Sequence, residues 1–305
     1  MRSWRRTSGT LAVVALLQGC AGDEYGGREG GSAGEPVQAP GRLVIVGGGL
    51  QGANAEVYQA ILAGRQGDGP LCVVPTASAD APASMESART TLAGYADSAS
   101  VKGILISTED PSRAEDPAVV AEIASCSGFF FTGGVQTRVV DVFLPSGDTT
   151  AAYRALWDRW QAGAVVSGSS AGAAMMSGVM IASGASSDAV ANGGVDEEDG
   201  DGVNIRSGMG FFKRAILDQH FLARGRIGRL VVSVLATDSL PLGLGIDENT
   251  ALVVDGDTAW VAGASGVVVV DGRGARRTGS IRGSGIRVTL AGRGDVLDLR
   301  TFAVR

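Results

Sequence analysis

From Arg42 onward, short apolar runs rich in Val, Ile and Phe alternate with longer stretches of Ala, Glu, Arg and Leu. RLVIV (42–46), LCVVPT (71–76), GILIST (103–108), GFFFTGG (128–134) and AVVSGSS (164–170) are unbroken apolar runs that end in Gly, Ser or Thr. A run without polar alternation suits a strand buried on both faces. The stretches 79–98, 117–125 and 149–162 between them predict helices. Strands separated by helices imply an α/β fold, a mostly parallel sheet covered on both sides, with ligands received at the carboxyl ends of its strands. From residue 251 the pattern changes to ALVVDGDTAWVAGASGVVVVDGRG, short strands joined by tight glycine turns. That β-rich part, 251–305, predicts antiparallel strands completing the same domain, which spans 41–305.

The first forty residues read differently. Arg2, Arg5 and Arg6 precede the apolar run LAVVALLQGC, too short to span a bilayer and suited to an export signal over 1–19. Leu17-Gln18-Gly19-Cys20 resembles a bacterial lipobox, in which the cysteine is acylated and becomes the first mature residue. Residues 20–40 are Gly-rich and polar, as a flexible tether should be. The expectation is an exported chain: a cell-surface or outer-membrane lipoprotein held to the membrane only by its N-terminal lipid, or a secreted protein. Cys72 and Cys126 fall in or beside buried strands, where a disulfide and two buried thiols are both open.

Composition narrows the classes. With 45% hydrophobic and 19% charged residues in 305, the chain can bury a large core. Its 47 glycines show no three-residue period, so collagen-like and disordered readings fail. A net charge of −6 argues against a nucleic-acid partner, because a phosphate backbone needs a basic face. The sequence leaves the oligomeric state open, a homodimer included.

Two glycine motifs invite chemistry. Gly47-Gly48-Gly49-Leu50-Gln51-Gly52 matches G-x-G-x-x-G after the first strand, but no carboxylate ends the second strand to meet a ribose, so these residues read as a tight turn. Gly168, Ser170 and Gly172 fit G-x-S-x-G between an apolar strand and an Ala- and Met-rich helix start, the setting of a nucleophile elbow. Ser170 would attack, and the N–H of Ala171 would be one oxyanion donor. A serine needs a base, and His220 is the only histidine.

Four segments taken together, FFFTGGVQTR (129–138), GSSAGA (168–173), DQHFLARGRIGRL (218–230) and GLGIDENTALVV (243–254), resemble the serine peptidase family that contains the cyanophycinases and dipeptidase E. The arginines after Asp218-Gln219-His220 favour the cyanophycinase branch. The resemblance implies a three-layer α/β/α sandwich like class I glutamine amidotransferases, with Ser170 as nucleophile, His220 as base and Glu248, or alternatively Asp247, as the acid. It implies a second oxyanion N–H from Gly134, and substrate contacts from Gln136, Asp218, Gln219, Arg224, Arg226 and Arg229. The implied substrate is cyanophycin or a related Asp/Arg peptide, cut to β-Asp-Arg dipeptides without metal or cofactor. Guanidinium groups suit the free α-carboxylates of such a polymer. Val135 departs from the pattern, standing where a polar residue is expected. The acidic stretch 192–203 has irregular spacing for a calcium loop and reads as a solvated loop. Two rivals remain: a dipeptidase E-like peptidase on Asp-X dipeptides, and a non-catalytic surface-binding lipoprotein of the same fold.

Overall fold

The computed structural model describes residues 40–195, 201–278 and 282–305, which form one compact unit. The signal segment, Cys20 and the tether before Pro40 lie outside the described residues, as do the carboxylates at 196–199. Among the described residues no helix is long and apolar enough to cross a membrane.

Five strands build the parallel half of the first sheet: β1 (Leu43–Val46), β2 (Leu71–Val74), β3 (Val101–Gly103), β4 (Gly128–Phe131) and β5 (Val165–Ser169). All four residues of β1 are buried, Leu43 and Ile45 in one core and Val44 and Val46 in another, which is why the segment carries no polar alternation. One face is covered by α1 (Ala55–Ala63) and α2 (Ala81–Ala93). Helices α3 (Pro117–Ser125), α4 (Gln136–Phe143) and α5 (Ala151–Gln161) cover the other. Three of these helices start where the chain supplies a side-chain cap and a favourable first turn. Asp80 accepts from the N–H of Ala83, Asp116 from that of Ala118, and Thr150 from that of Tyr153, with Pro82 and Pro117 in first turns where no N–H is needed.

The third strand lies earlier than the apolar run over 103–108 predicts and meets that run only at Gly103. Its pairing with β2 ends at Val73↔Gly103, the N–H of Ile104 makes the last bond to Val73 O, and beyond it Ile106 is a buried core residue off the ladder. The hydroxyl of Thr76 donates to the carbonyl of Ile106, so the side chain of a neighbouring segment takes the place of the missing rung.

The later strands form more than an edge to this sheet. After the short helix α6 (Ala171–Ala174) come β6 (Val179–Ser183), β7 (Gly194–Val195), β8 (Val203–Ser207), β9 (Ile216–Asp218), β10 (Leu242–Ile246), β11 (Thr250–Asp255), β12 (Thr258–Gly263) and β13 (Gly266–Asp271). Antiparallel β11 joins β1, and β12 and the strands 296–298 and 303–304 extend the first sheet. A second, seven-stranded sheet runs 287–292, β13, β10, β9, β6, β8, β7. One of its faces shares the core of the first sheet, and α7 (Ser186–Asn192) and α8 (Ile227–Ala236) cover the other. Because β10 and β11 are consecutive yet lie in different sheets, the turn between them sits at the seam.

Cys72 of β2 and Cys126 at the end of α3 are joined by a disulfide, with Cα atoms 6.0 Å apart and a sequence separation of 54. In the chain-entropy view a loop of that length contributes about 4 kcal/mol. Urea unfolding with and without reductant should show a lower midpoint for the reduced protein. An unchanged midpoint would mean that this link does not support the fold.

Candidate active site

Strand β5 ends in Ser169, and Ser170 follows at φ 57°, ψ −113°, a left-handed conformation that a non-glycine residue adopts only under constraint. The constraint is close packing. A Cβ on Gly168 would lie 2.3 Å from the carbonyl oxygen of Gly172, and one on Gly172 would lie 2.3 Å from that of Phe131. Only glycine permits this approach, so the elbow needs both flanking positions. The turn throws the Ser170 hydroxyl out above the sheet and starts α6 immediately, leaving Ala171 at the first helical position, where an N–H has no partner within its own helix.

His220 follows β9 in the second sheet, also left-handed at φ 47°, its N–H bonded to the carbonyl of Gly47 at 2.5 Å. Its Nε2 stands 2.8 Å from Ser170 Oγ, and its Nδ1 stands 2.5 Å from Glu248 Oε1. An ionised carboxylate can only accept, so Nδ1 carries the proton and Nε2 faces the hydroxyl as acceptor. Burial holds the imidazole below its ordinary pKa, the bond to Glu248 opposes that, and the charges of Arg224 and Arg226 reinforce it. The net direction is down, which keeps the ring neutral and able to take a proton at neutral pH.

Of the two neighbouring acids, Glu248 reaches the imidazole and Asp247 turns away. Asp247 accepts from the N–H groups of Leu222 and Ala223 and from the hydroxyl of Ser265. Burial pushes its pKa up, and these bonds together outweigh that and hold it low. Its effect is to pin the loop that carries His220. Asn249, left-handed at φ 52°, anchors the other side: its N–H donates to Gly48 O, and its side-chain oxygen accepts from Gln51 N and Asn54 Nδ2.

The glycine turn after β1 proves to be part of the site. A Cβ on Gly48 would fall 2.3 Å from both Cε1 and Nε2 of His220, so the ring lies directly on bare backbone. From the sequence alone these residues read only as a turn. The signal available was three consecutive glycines, more than a turn requires.

The remaining site residues divide by depth. Gly133 lies against the nucleophile, an added Cβ there falling 3.5 Å from Ser170 Cβ, and Gly134 follows at φ 144° with Val135 beyond it, exposed. Gln219 is buried, with its side-chain oxygen 3.4 Å from Ser170 Oγ. The amide nitrogen of Gln136 is committed to the carbonyls of Ile181 and Ala182, tying α4 to β6. Asp218 and Arg229 do not stand open to substrate. They form a buried bidentate pair at 2.5 and 2.8 Å, and Arg229 also donates to Gly184 O, so the guanidinium is occupied on every side and the expected substrate contact becomes a positioning role. Arg226 differs. Its Nη1 donates to Gln219 O at 2.7 Å but stands 3.8 Å from Asp218, whose carboxylate Arg229 already holds. Burial and then the neighbouring Arg229 push its pKa down to about 10, which still leaves a cation at neutral pH, short of a counter-ion. Arg224 is exposed, 3.9 Å from Glu248. Among the described residues no cluster of His, Cys, Asp and Glu is arranged to hold a metal.

The model of Peptidase family S51 matches residues 43–262. Cyanophycinase from Synechococcus elongatus is 31% identical over 205 residues, 64% of this chain and 60% of the relative. Cyanophycinase from Nostoc sp. is 35% identical over 170 residues, 55% and 52% of the two chains. The matches thus span between about half and three fifths of the curated relatives' length. A solved peptidase from an acI-B1 Actinobacterium shares the fold, with a TM-score of 0.57 at 21% identity over 83% of this chain and 96% of that one. The chain belongs to Peptidase family S51.

The depth of the arginines makes a stability prediction. Arg229→Ala should cost about 3–5 kcal/mol, because it leaves the Asp218 carboxylate buried and unpaired. Arg224→Ala, on the exposed side, should change stability by less than about 0.5 kcal/mol. Denaturant midpoints of the two variants check this, and an Arg229→Ala protein as stable as wild type would contradict the positioning role.

Proposed function

We propose that this member of Peptidase family S51 is a cyanophycinase-type serine exopeptidase, releasing β-Asp-Arg dipeptides from multi-L-arginyl-poly-L-aspartate through an acyl-enzyme on Ser170. The observation that carries the reading is the line Ser170–His220–Glu248 with an under-paired cation, Arg226, bonded to the carbonyl of Gln219, the residue before His220. The family supplies the reaction class, and the named relatives supply the substrate class.

The chemistry follows from the bonds in place. Ser170 Oγ bonds to the scissile backbone carbonyl carbon while its proton passes to His220 Nε2. The Nδ1–H to Glu248 bond strengthens as the imidazolium forms, so the carboxylate stabilises charge at the moment it appears. The carbonyl oxygen, now negative, is met by the N–H of Ala171 and by that of Gly134. The imidazolium then protonates the leaving amine, and water repeats the sequence to free the acid and restore Ser170. Arg226 and Arg224 receive the α-carboxylates of the arginine units, with Arg226 the stronger partner because it is less solvated and lacks a full counter-ion.

Export is proposed with this reading. The disulfide suits an oxidising compartment, and the basic residues, apolar run and Cys20 at the N-terminus suit an anchored lipoprotein. The mass of the mature N-terminal peptide would show the acyl group on Cys20, or its absence.

Purified protein should release β-Asp-Arg from cyanophycin, and Ser170→Ala should lose roughly 10⁴- to 10⁶-fold in kcat. Arg226→Ala should cripple cleavage of the polymer, whereas cleavage confined to Asp-X dipeptides and indifferent to Arg226 would favour the dipeptidase reading. Because the His220 pKa is lowered, the neutral base persists into mild acid, and kcat/KM should fall only as pH drops through a midpoint below 6.5. An intact polymer, with acylation of no serine, would leave only a binding role.

A further inference from the structure

The two large sheets have four open edges, and three of them are short. The strand Ala303–Val304 and β3 end the first sheet with two and three residues, and β7 ends the second with two. The fourth edge, the strand Arg287–Gly292 of the second sheet, is six residues long and pairs with β13 throughout, without a bulge. An edge strand presents unpaired backbone groups, and proteins ordinarily blunt it by shortness, proline, a bulge or charge. Residues 288–291, Val-Thr-Leu-Ala, carry none of these guards. Leu290 is 71% exposed, the most exposed large apolar side chain among the described residues, and Val288 is 46% exposed.

Neighbouring bonds show which backbone groups face outward. The carbonyl of Gly266 accepts from the N–H of Asp247, on the β10 side, so Gly266 turns its polar groups away from its register partner Gly292. The N–H of Gly292 goes instead to the Asp295 carboxylate, and its carbonyl accepts from the N–H of Asp295. Bonding direction alternates along an antiparallel strand. Thr289 and Ala291 therefore bond to β13, while the N–H and C=O of Val288 and Leu290 point away from it, where no further strand pairs. The side chains of Val288 and Leu290 share a face with Val270 and Val268, their partners on β13, which pack in the core under α8.

We propose that this edge is where two copies of the chain meet, the strand 287–292 of each pairing antiparallel about a two-fold axis at Thr289. In that register Val288 faces Leu290 of the second copy, and Leu290 faces its Val288. Both are hydrogen-bonded pairs, so every backbone group left open at these positions in the two copies is satisfied. The valines and leucines come together as one apolar cluster continuing the outer face of each sheet. Charge and spent groups select the register. Here Arg287 faces Ala291 of the second copy. A slide that set Leu290 against itself would bring Arg287 opposite Arg293, and would offer Val288 a Gly292 whose groups Asp295 already holds. The strand lies beyond the family-matched part of the chain, so the peptidase reading neither requires nor supplies this contact.

Sedimentation velocity of the purified protein over a range of concentrations tests the contact. A contact built mainly on one strand belongs with the smaller interfaces, so the dimer should dissociate on dilution with a Kd of roughly 1–100 µM. Leu290→Lys should weaken it by about 10-fold or more while leaving Tm unchanged, since the side chain is exposed. In a Cys20→Ser background, Thr289→Cys should form an intermolecular disulfide on mild oxidation. The two residues 289 face each other as a non-hydrogen-bonded pair, with Cα atoms about 4.5 Å apart. Arg287→Cys, which faces Ala291, should not cross-link. A protein that is monomeric at every concentration up to roughly ten times that range, a dimer indifferent to Leu290→Lys, or cross-linking at 287 and not at 289 would overturn the proposal.

Discussion

The hydrogen bond from Ser170 to His220 crosses the seam between two sheets, and the rest of the architecture serves to hold that crossing. Ser170 follows a strand of the first sheet, His220 follows a strand of the second, and Glu248 lies in the link between β10 of the second sheet and β11 of the first. Three non-glycine residues in this small region, Ser170, His220 and Asn249, are left-handed. Such conformations persist only where the surroundings over-determine them. Here the surroundings are a set of backbone bonds converging on Gly47 and Gly48: Gly47 accepts from His220 and donates to Thr250, and Gly48 accepts from Asn249. The bare backbone of Gly48 then provides the surface on which the imidazole rests.

Charge at the site is arranged in layers with different tasks. Deepest is the Asp218–Arg229 pair, closed to solvent and satisfied by its own partners. Above it Arg226 borrows the carbonyl of Gln219 but gets only a distant share of Asp218, so its charge remains available. At the surface Arg224 stands beside Glu248 at a separation that contributes little in water. Asp247 belongs to none of these layers, since its oxygens are spent on loop N–H groups and Ser265. Two adjacent carboxylates thus hold different posts, one orienting the base and the other fixing the loop that delivers it.

Much of this was legible in the chain. Unbroken apolar runs mark the parallel strands because burial on both faces excludes polar alternation, and the elbow is visible because the close approach of Gly172 to Phe131 admits no side chain. The family motifs brought Ser170, His220 and the Asp247-Glu248 pair into one site before any coordinates. Spacing alone could not choose between adjacent acids, because the choice depends on which way a turn at the seam points its side chains. Nor could it separate Arg229 from Arg226, whose difference is depth beneath a loop. The second sheet escaped notice for a related reason: glycine turns announce antiparallel strands but not which sheet each joins.

The chain carries one histidine, so its imidazole can be observed without interference. Nitrogen-15 NMR of that ring across pH tests the central arrangement most directly. The account predicts a single tautomer with the proton on Nδ1 and Nε2 unprotonated, titrating below 6.5, and a shift of that midpoint when Glu248→Gln removes the carboxylate. A ring that exchanges freely between tautomers and titrates at its ordinary value, unmoved by Glu248→Gln or Ser170→Ala, would show that the hydroxyl, imidazole and carboxylate do not act together.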